Sequence, residues 1–312
     1  MDTRSRNPAR DRRGFTLVES LIAMTLGLIV ITATMSFAWG TFRGVEGDRI
    51  RQEVYRNARF LGMSLERDFQ TAGVAMESTV SFGSLSVWAD TVAILSVPFE
   101  PHQAPVHDLL PPEGATDPMP PGGTCGTYCL DLMKVDGEIS LKAGDLARLQ
   151  VNDARRLVLV REIVETSDTS FALGFTDDQE LLNYKAGLTD LILSTSGTFV
   201  QKLSPIVYYQ KENKLLRAEG LNPSTSELRG AVMAYGVNRW DAWLMFVDGE
   251  EAENADLSDS DNTNDYDDLL GVRIETLLTA NRPDLRVNRG ELFTRAYEWQ
   301  FVPRNLMYER NR

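Results

Sequence analysis

From Phe15 to Phe42 the chain is apolar at most positions, and Glu19 is the only charged side chain in that run. About 20 such residues cross the hydrocarbon core of a bilayer as a helix, so the run predicts a transmembrane helix over residues 15–42. The pattern then changes without stopping. Ile50, Val54, Ala58, Leu61, Leu65, Phe69 and Ala72 recur at steps of three and four, which draws one apolar stripe along a helix. Arg49, Arg51, Glu53, Arg56, Arg59, Glu66, Arg67 and Asp68 fill its other faces. The two patterns join into one helix over residues 15–72, about 55 residues and about 80 Å long at 1.5 Å per residue. Gly40, Gly44 and Gly47 fall at the junction, where weak helix propensity permits bending or unwinding.

Beyond Gly73 the periodicity shortens to β-rich runs separated by Gly, Pro, Asn and Asp. Strands are predicted at residues 79–88, 91–97, 128–133, 157–165, 206–210, 214–218, 242–247, 272–278 and 293–301. Their connections favour antiparallel pairing, with Lys211-Glu212-Asn213 as a hairpin turn. The fold class is therefore α+β: a long N-terminal helix, transmembrane then amphipathic, packed on an antiparallel β-rich head over residues 73–312 and giving a stalk with a head. Two segments interrupt the head. Residues 98–123 hold most of the prolines and both histidines, and are expected to be an exposed loop without a core of its own. Residues 248–268 carry ten acidic groups and no lysine or arginine, which predicts a surface excursion between strands.

Charge changes the picture in one respect. Residues 1–14 contain five arginines and two aspartates, a net +3, so the rest of the chain carries −16 of the total −13. A body this acidic is a poor partner for nucleic acid, and no polybasic patch outside residues 1–14 would bind anionic lipid. Arginines on the N-terminal side of the apolar run hold that end in the cytoplasm and send the body outward, to the periplasm or beyond. In an oxidising compartment the two cysteines, Cys125 and Cys129, read as a small disulfide loop; a pair of free thiols or half a metal site is the other reading.

Candidate chemistry is sparse. Alternating oxygen ligands at Asp259, Asp261, Asp265 and Asp267 suit Ca²⁺. This is not an EF-hand, because Asn264 stands where the loop glycine belongs and Leu270 where the last acidic ligand belongs. A solvated acidic loop without a cofactor is the plainer expectation. His102 and His107 lack the further ligands that zinc needs. Trp240, Trp243 and Trp299 are expected in the core. With no Gly-x-Ser-x-Gly elbow, no cysteine nucleophile and no phosphate-binding loop, the chain is not expected to be an enzyme.

Arg12-Arg13-Gly14-Phe15-Thr16-Leu17-Val18-Glu19, basic residues ahead of a long apolar helix, resembles the class III signal of type IV pilins and pseudopilins. The resemblance implies that residues 1–14 are a leader removed by prepilin peptidase between Gly14 and Phe15, with N-methylation of Phe15. It implies that Glu19, as the fifth mature residue, pairs with the N-terminal amine of a neighbouring subunit. A carboxylate in hydrocarbon costs roughly 2.5–3.5 kcal/mol, and such an amine is the partner it lacks. A plain anchor, or a secretory signal cut near Ser36-Phe37-Ala38, leaves Glu19 unexplained. Tyr208-Tyr209 through Arg217, Tyr235-Gly236-Val237, and Pro303-Arg304-Asn305-Leu306 resemble more loosely the PilW-type minor pilins and the J-type pseudopilins of type II secretion. Such proteins act in pilus assembly and initiation, pass from the inner membrane to the pilus fibre, and have other minor pilins, the major pilin and a tip adhesin as partners. A membrane-anchored periplasmic enzyme or sensor is the alternative of a different class.

Overall fold

The computed structural model describes residues 16–99, 102–176, 181, 191–222, 224–225, 227–257, 264–283 and 290–306. The fold is α+β, a long N-terminal helix followed by antiparallel sheets. Helix α1, Leu17–Phe69, is unbroken for 53 residues, so Gly40, Gly44 and Gly47 do not interrupt it. The chain divides into two compact units. One comprises residues 1–52 and 282–293; the other comprises residues 53–281 and 294–312.

In the first unit, α1 presents apolar side chains to its surroundings from Leu17 to Phe42, and Arg51 lies over the ring of Phe293 at 5.4 Å. Arg282 Nη1 is 3.9 Å from Glu46 Oε1.

The second unit holds the sheets, except for the strand ends that fall within residues 282–293. Ten strands form the larger one: β1 (Leu85–Trp88), β2 (Thr91–Ser96), β3 (Val106–Asp108), β4 (Cys129–Met133), β5 (Leu146–Val151), β6 (Ala154–Glu165), β7 (Ser170–Thr176), β8 (Thr198–Lys211), β9 (Lys214–Leu221) and β10 (Leu228–Tyr235). Along its main path the order is β1-β2-β8-β5-β6-β7-β4; β3 pairs with β8, β9 with β8, and β10 with β9. The smaller sheet runs β12-β11-β13-β14 over β11 (Val237–Phe246), β12 (Glu251–Ala252), β13 (Leu269–Pro283) and β14 (Leu292–Phe301). Strand β8 is the seam of the larger sheet. Its first half pairs with β5, from Thr198 opposite Val151 to Leu203 opposite Leu146. Its second half pairs with β2 and β9. Pro205 sits where β5 has ended and β9 pairing has not begun, so its missing N–H interrupts no ladder on that side.

Successive residues along β5, β6 and β8 enter different cores. Leu146, Leu159, Leu203 and Val207 belong to one buried cluster, while Ala147, Val158, Val160 and Val200 belong to another. Both faces of this sheet are thus covered, and strands covered on both faces lose the apolar–polar alternation that marks a half-exposed strand. The nine expected runs all coincide at least partly with strands, and β5 and β7 lie outside them. The 79–88 run contracts to Leu85–Trp88, with a single bridge between Thr79 and Phe82 ahead of it.

Two expectations need correction. The Pro-rich segment 98–123 is not a coreless loop: it contains β3, whose His107 is fully buried, and it buries Ala104, Leu109 and Met119. The acidic segment 248–268 is not wholly a surface excursion either. It supplies β12 and buries Tyr266 and Asp265. Short runs with a single inward side chain, such as the exposed–buried–exposed triplet of β3, leave too little pattern to read.

Candidate functional site

The described chain begins at Thr16, so Gly14 and Phe15 lie outside the described residues. The first turn of α1 is closed by a reciprocal capping pair. The Thr16 N–H donates to Glu19 Oε2 at 3.2 Å, its hydroxyl donates to the same oxygen at 3.1 Å, and the Glu19 N–H donates back to Thr16 Oγ1 at 3.2 Å. This satisfies two of the four amide donors that every helix start leaves open, and puts a negative charge at the positive end of the helix dipole. Glu19 is exposed.

What surrounds Glu19 is apolar surface facing outward. Leu17, Met24 and Phe37 are 82%, 77% and 77% exposed. Fourteen large apolar side chains between Leu17 and Phe42 are exposed in the same way. At ~1.5 kcal/mol each, moving them from water into hydrocarbon is worth on the order of 20 kcal/mol. Four threonines within the span are satisfied locally: Thr25, Thr32, Thr34 and Thr41 each donate a hydroxyl to a backbone carbonyl one turn earlier. The helix is long and apolar enough to cross a membrane.

Within the second unit, the amphipathic half of α1 docks on strands of both sheets. Val54, Ala58, Leu61, Leu65, Phe69 and Ala72 are all buried. Phe69 stacks on Phe301 of β14 at 4.7 Å, and Gly62 leaves room for Trp299, whose Nε1 would lie 2.9 Å from an added Cβ. At the helix end, buried Asp68 accepts from Tyr208 Oη at 2.7 Å and from Arg217 Nε at 2.5 Å. Tyr208 and Arg217 stand directly opposite each other on β8 and β9, so one cross-strand pair grips one carboxylate. Burial and the Asp68 carboxylate raise the Tyr208 pKa well above the ordinary phenol range. Burial opposes the charge of Arg217, but its hydrogen bonds to Asp68 and Glu219 outweigh that and raise its pKa. Sequence reasoning placed Asp68 on a polar helix face and missed this role; its only signal was the hairpin holding Tyr208 and Arg217.

The remaining candidates are scattered. Cys125 and Cys129 are joined by a disulfide, with Cα atoms 5.6 Å apart. His102 is exposed, while His107 is buried with both ring nitrogens engaged. Its Nδ1 is 2.9 Å from the Met133 carbonyl, which can only accept, so Nδ1 carries the proton; Nε2 then accepts from the Ser140 hydroxyl at 2.9 Å. Burial lowers its pKa, against the raising influence of Met133 and Asp108. Trp240 is buried, whereas Trp243 and Trp299 are only half-buried, and Arg273 lies over Trp243 at 4.4 Å.

Of the four acidic ligand candidates, Asp259 and Asp261 lie outside the described residues. Asp265 and Asp267 are brought together, and Asp268 joins them, one oxygen from each lying within 4.8 Å of the others. Burial, then the neighbouring Asp267 and Asp268 carboxylates, pushes the Asp265 pKa up to about 7.

Comparison with known proteins bears on the N-terminus. No curated protein and no solved structure gives a significant match. Residues 9–35 match the family model described as the prokaryotic N-terminal methylation motif, the class III signal of type IV pilins; the match takes in Gly14, Phe15 and Glu19 together with the apolar span as far as Met35.

Proposed function

We propose that this chain is a minor pilin of the PilW type that acts in the assembly and initiation of a type IV pilus. Prepilin peptidase cuts between Gly14 and Phe15 and the new Phe15 amine is methylated. The apolar half of α1 holds the precursor in the inner membrane with its N-terminus cytoplasmic and its sheets periplasmic, and later packs among neighbouring helices in the fibre. Glu19 pairs there with the Phe15 amine of an adjacent subunit, and the sheets contact other minor pilins, the major pilin or a tip adhesin. The role is structural, without a reaction to catalyse.

One observation carries this reading: a methylation motif in which Glu19, the single charged side chain between Phe15 and Phe42, stands exposed on the otherwise apolar first half of α1. A membrane anchor needs no such charge, and the carboxylate's insertion cost demands a partner. The test is the intact mass of the membrane-extracted protein from cells with and without prepilin peptidase. A mature chain starting at methylated Phe15, only where the peptidase is present, is the expected result; a chain starting at Trp39, or an uncut one, overturns the reading. Glu19→Ala is then expected to deplete the subunit from sheared pili. Recovery of the wild-type subunit in a secretion pseudopilus instead would assign the chain to the J-type.

A further inference from the structure

We propose that residues 264–268, Asn264-Asp265-Tyr266-Asp267-Asp268, form a calcium site in the second unit. The inference is independent of how the N-terminus is processed. Oxygens of Asp265, Asp267 and Asp268 all lie within 4.8 Å of one another. Ca²⁺ holds its ligands at about 2.3–2.6 Å, so oxygens across one ion stand at most about 5 Å apart, and these three fit around a single ion. Clustered carboxylates on a surface would prove nothing. Here Asp265 is only 1% exposed; its Oδ1 accepts from the Asp267 N–H at 3.3 Å, while its Oδ2 is buried with no hydrogen-bond donor among the described residues. The adjacent Asn264 Oδ1 is likewise buried and unpartnered. Neighbouring buried acceptors without donors are what a cation satisfies and a protein interior otherwise avoids. No lysine or arginine pairs with Asp265 or Asp267 among the described residues.

The segment is also held in place. Tyr266 is fully buried, packed so closely on Gly83 that a Cβ there would lie 2.6 Å from its ring. The Asn264 carbonyl accepts from the Asp256 N–H at 2.7 Å, and the Asp268 carbonyl accepts from the Val247 N–H at 3.2 Å. Asn264 Nδ2 donates to Glu250 Oε2 at 3.2 Å, which turns the amide oxygen, and not the amide nitrogen, toward unmet demand. A scaffold fixed at both ends and in the middle spends little entropy on binding. The donor set is all oxygen, the preference of a hard cation and not of zinc or copper. With three carboxylates and water completing the shell, the affinity belongs in the range of about 10⁻⁴ to 10⁻³ M found for extracellular calcium modules.

The full-length protein in detergent, stripped of metal by a chelator, is titrated with Tb³⁺ while tyrosine is excited, since Tyr266 lies between the ligands and sensitises an ion bound there. Saturable Tb³⁺ emission is expected, displaced by Ca²⁺ at lower concentration than by Mg²⁺. Asp265→Asn and Asp267→Asn are each expected to weaken binding at least about tenfold, as loss of one charged ligand does, and exposed Asp153→Asn to leave it unchanged. Tyr266→Phe keeps the ligands, so it is expected to lose emission while retaining Ca²⁺ uptake by calorimetry. Should Asp265→Asn fail to fold by circular dichroism, the exposed Asp267→Asn decides. Absence of saturable emission, unchanged binding in Asp267→Asn, or Mg²⁺ displacing Tb³⁺ as well as Ca²⁺ does overturns the site.

Discussion

Replacing Asp68 with alanine tests whether the helix is held to the sheet by charge as well as by packing. The wild-type carboxylate is 4% exposed and accepts from Tyr208 and Arg217, whose side chain is itself only 16% exposed. Removing one member of a buried ion pair costs about 3–5 kcal/mol, because the other charge stays buried without compensation. Arg217 keeps its contact with Glu219, so the lower end applies, and about 3 kcal/mol is expected. For a chain of this size that is a fall in Tm of about 6–12 °C. Urea titration followed by tryptophan fluorescence measures it, since Trp240 lies 6.4 Å from Tyr208. A double-mutant cycle with Arg217→Ala isolates the pair, with a coupling of about 2 kcal/mol expected. Coupling below about 0.5 kcal/mol would refute the argument and leave Asp68 a passenger on a face held by Leu61, Leu65 and Phe69.

Three further outcomes follow from packing and titration. Leu61→Ala, at a fully buried position of the stripe, is expected to cost about 2–5 kcal/mol by the same urea assay. Gly236→Ala is expected to destabilise by at least about 1 kcal/mol, because φ is +74° and a Cβ would come within 2.1 Å of the Thr279 carbonyl; Gly40→Ala, with nothing within 4 Å, should instead gain up to about 1 kcal/mol of helix propensity in the same denaturation series. His107 is held neutral, its folded pKa lying below the ordinary 6.5, so its stabilising contribution is complete above about pH 6.5 and is lost as pH falls through the folded value. Unfolding free energies compared at pH 7.5 and 5.0 should therefore show an acid loss of at most about 1.4 kcal/mol per pH unit from this group, absent in His107→Asn.

Much of this molecule could be read before folding, and where it could not the reason is local. The stripe from Ile50 to Ala72 was legible because one face meets the core and the others meet water, and every named member is buried. Strand β5 was not, because Arg148 lies in its middle; the structure keeps that buried guanidinium by a 2.6 Å bond to Gln201 on the neighbouring strand, a partner 53 residues away that no local pattern announces. The acidic segment showed its carboxylates but not its anchor, because one tyrosine among aspartates gives no periodicity. Glu19 stood out as a charge in an apolar run, yet its bond to Thr16 rests on cap geometry that the run does not display.

The cover over the amphipathic half of α1 comes from distant parts of the chain, and this sets a timetable for synthesis. Asp68 meets Tyr208 across 140 residues, and Phe69 meets Phe301 from the last strand. A chain leaving the ribosome N-terminus first therefore carries an uncovered apolar stripe until β8, β9 and finally β14 have been made. Truncation before Leu292 would leave Gly62 and Phe69 without their aromatic cover however well the ten-stranded sheet had formed, so quality control of this protein depends on its final strand.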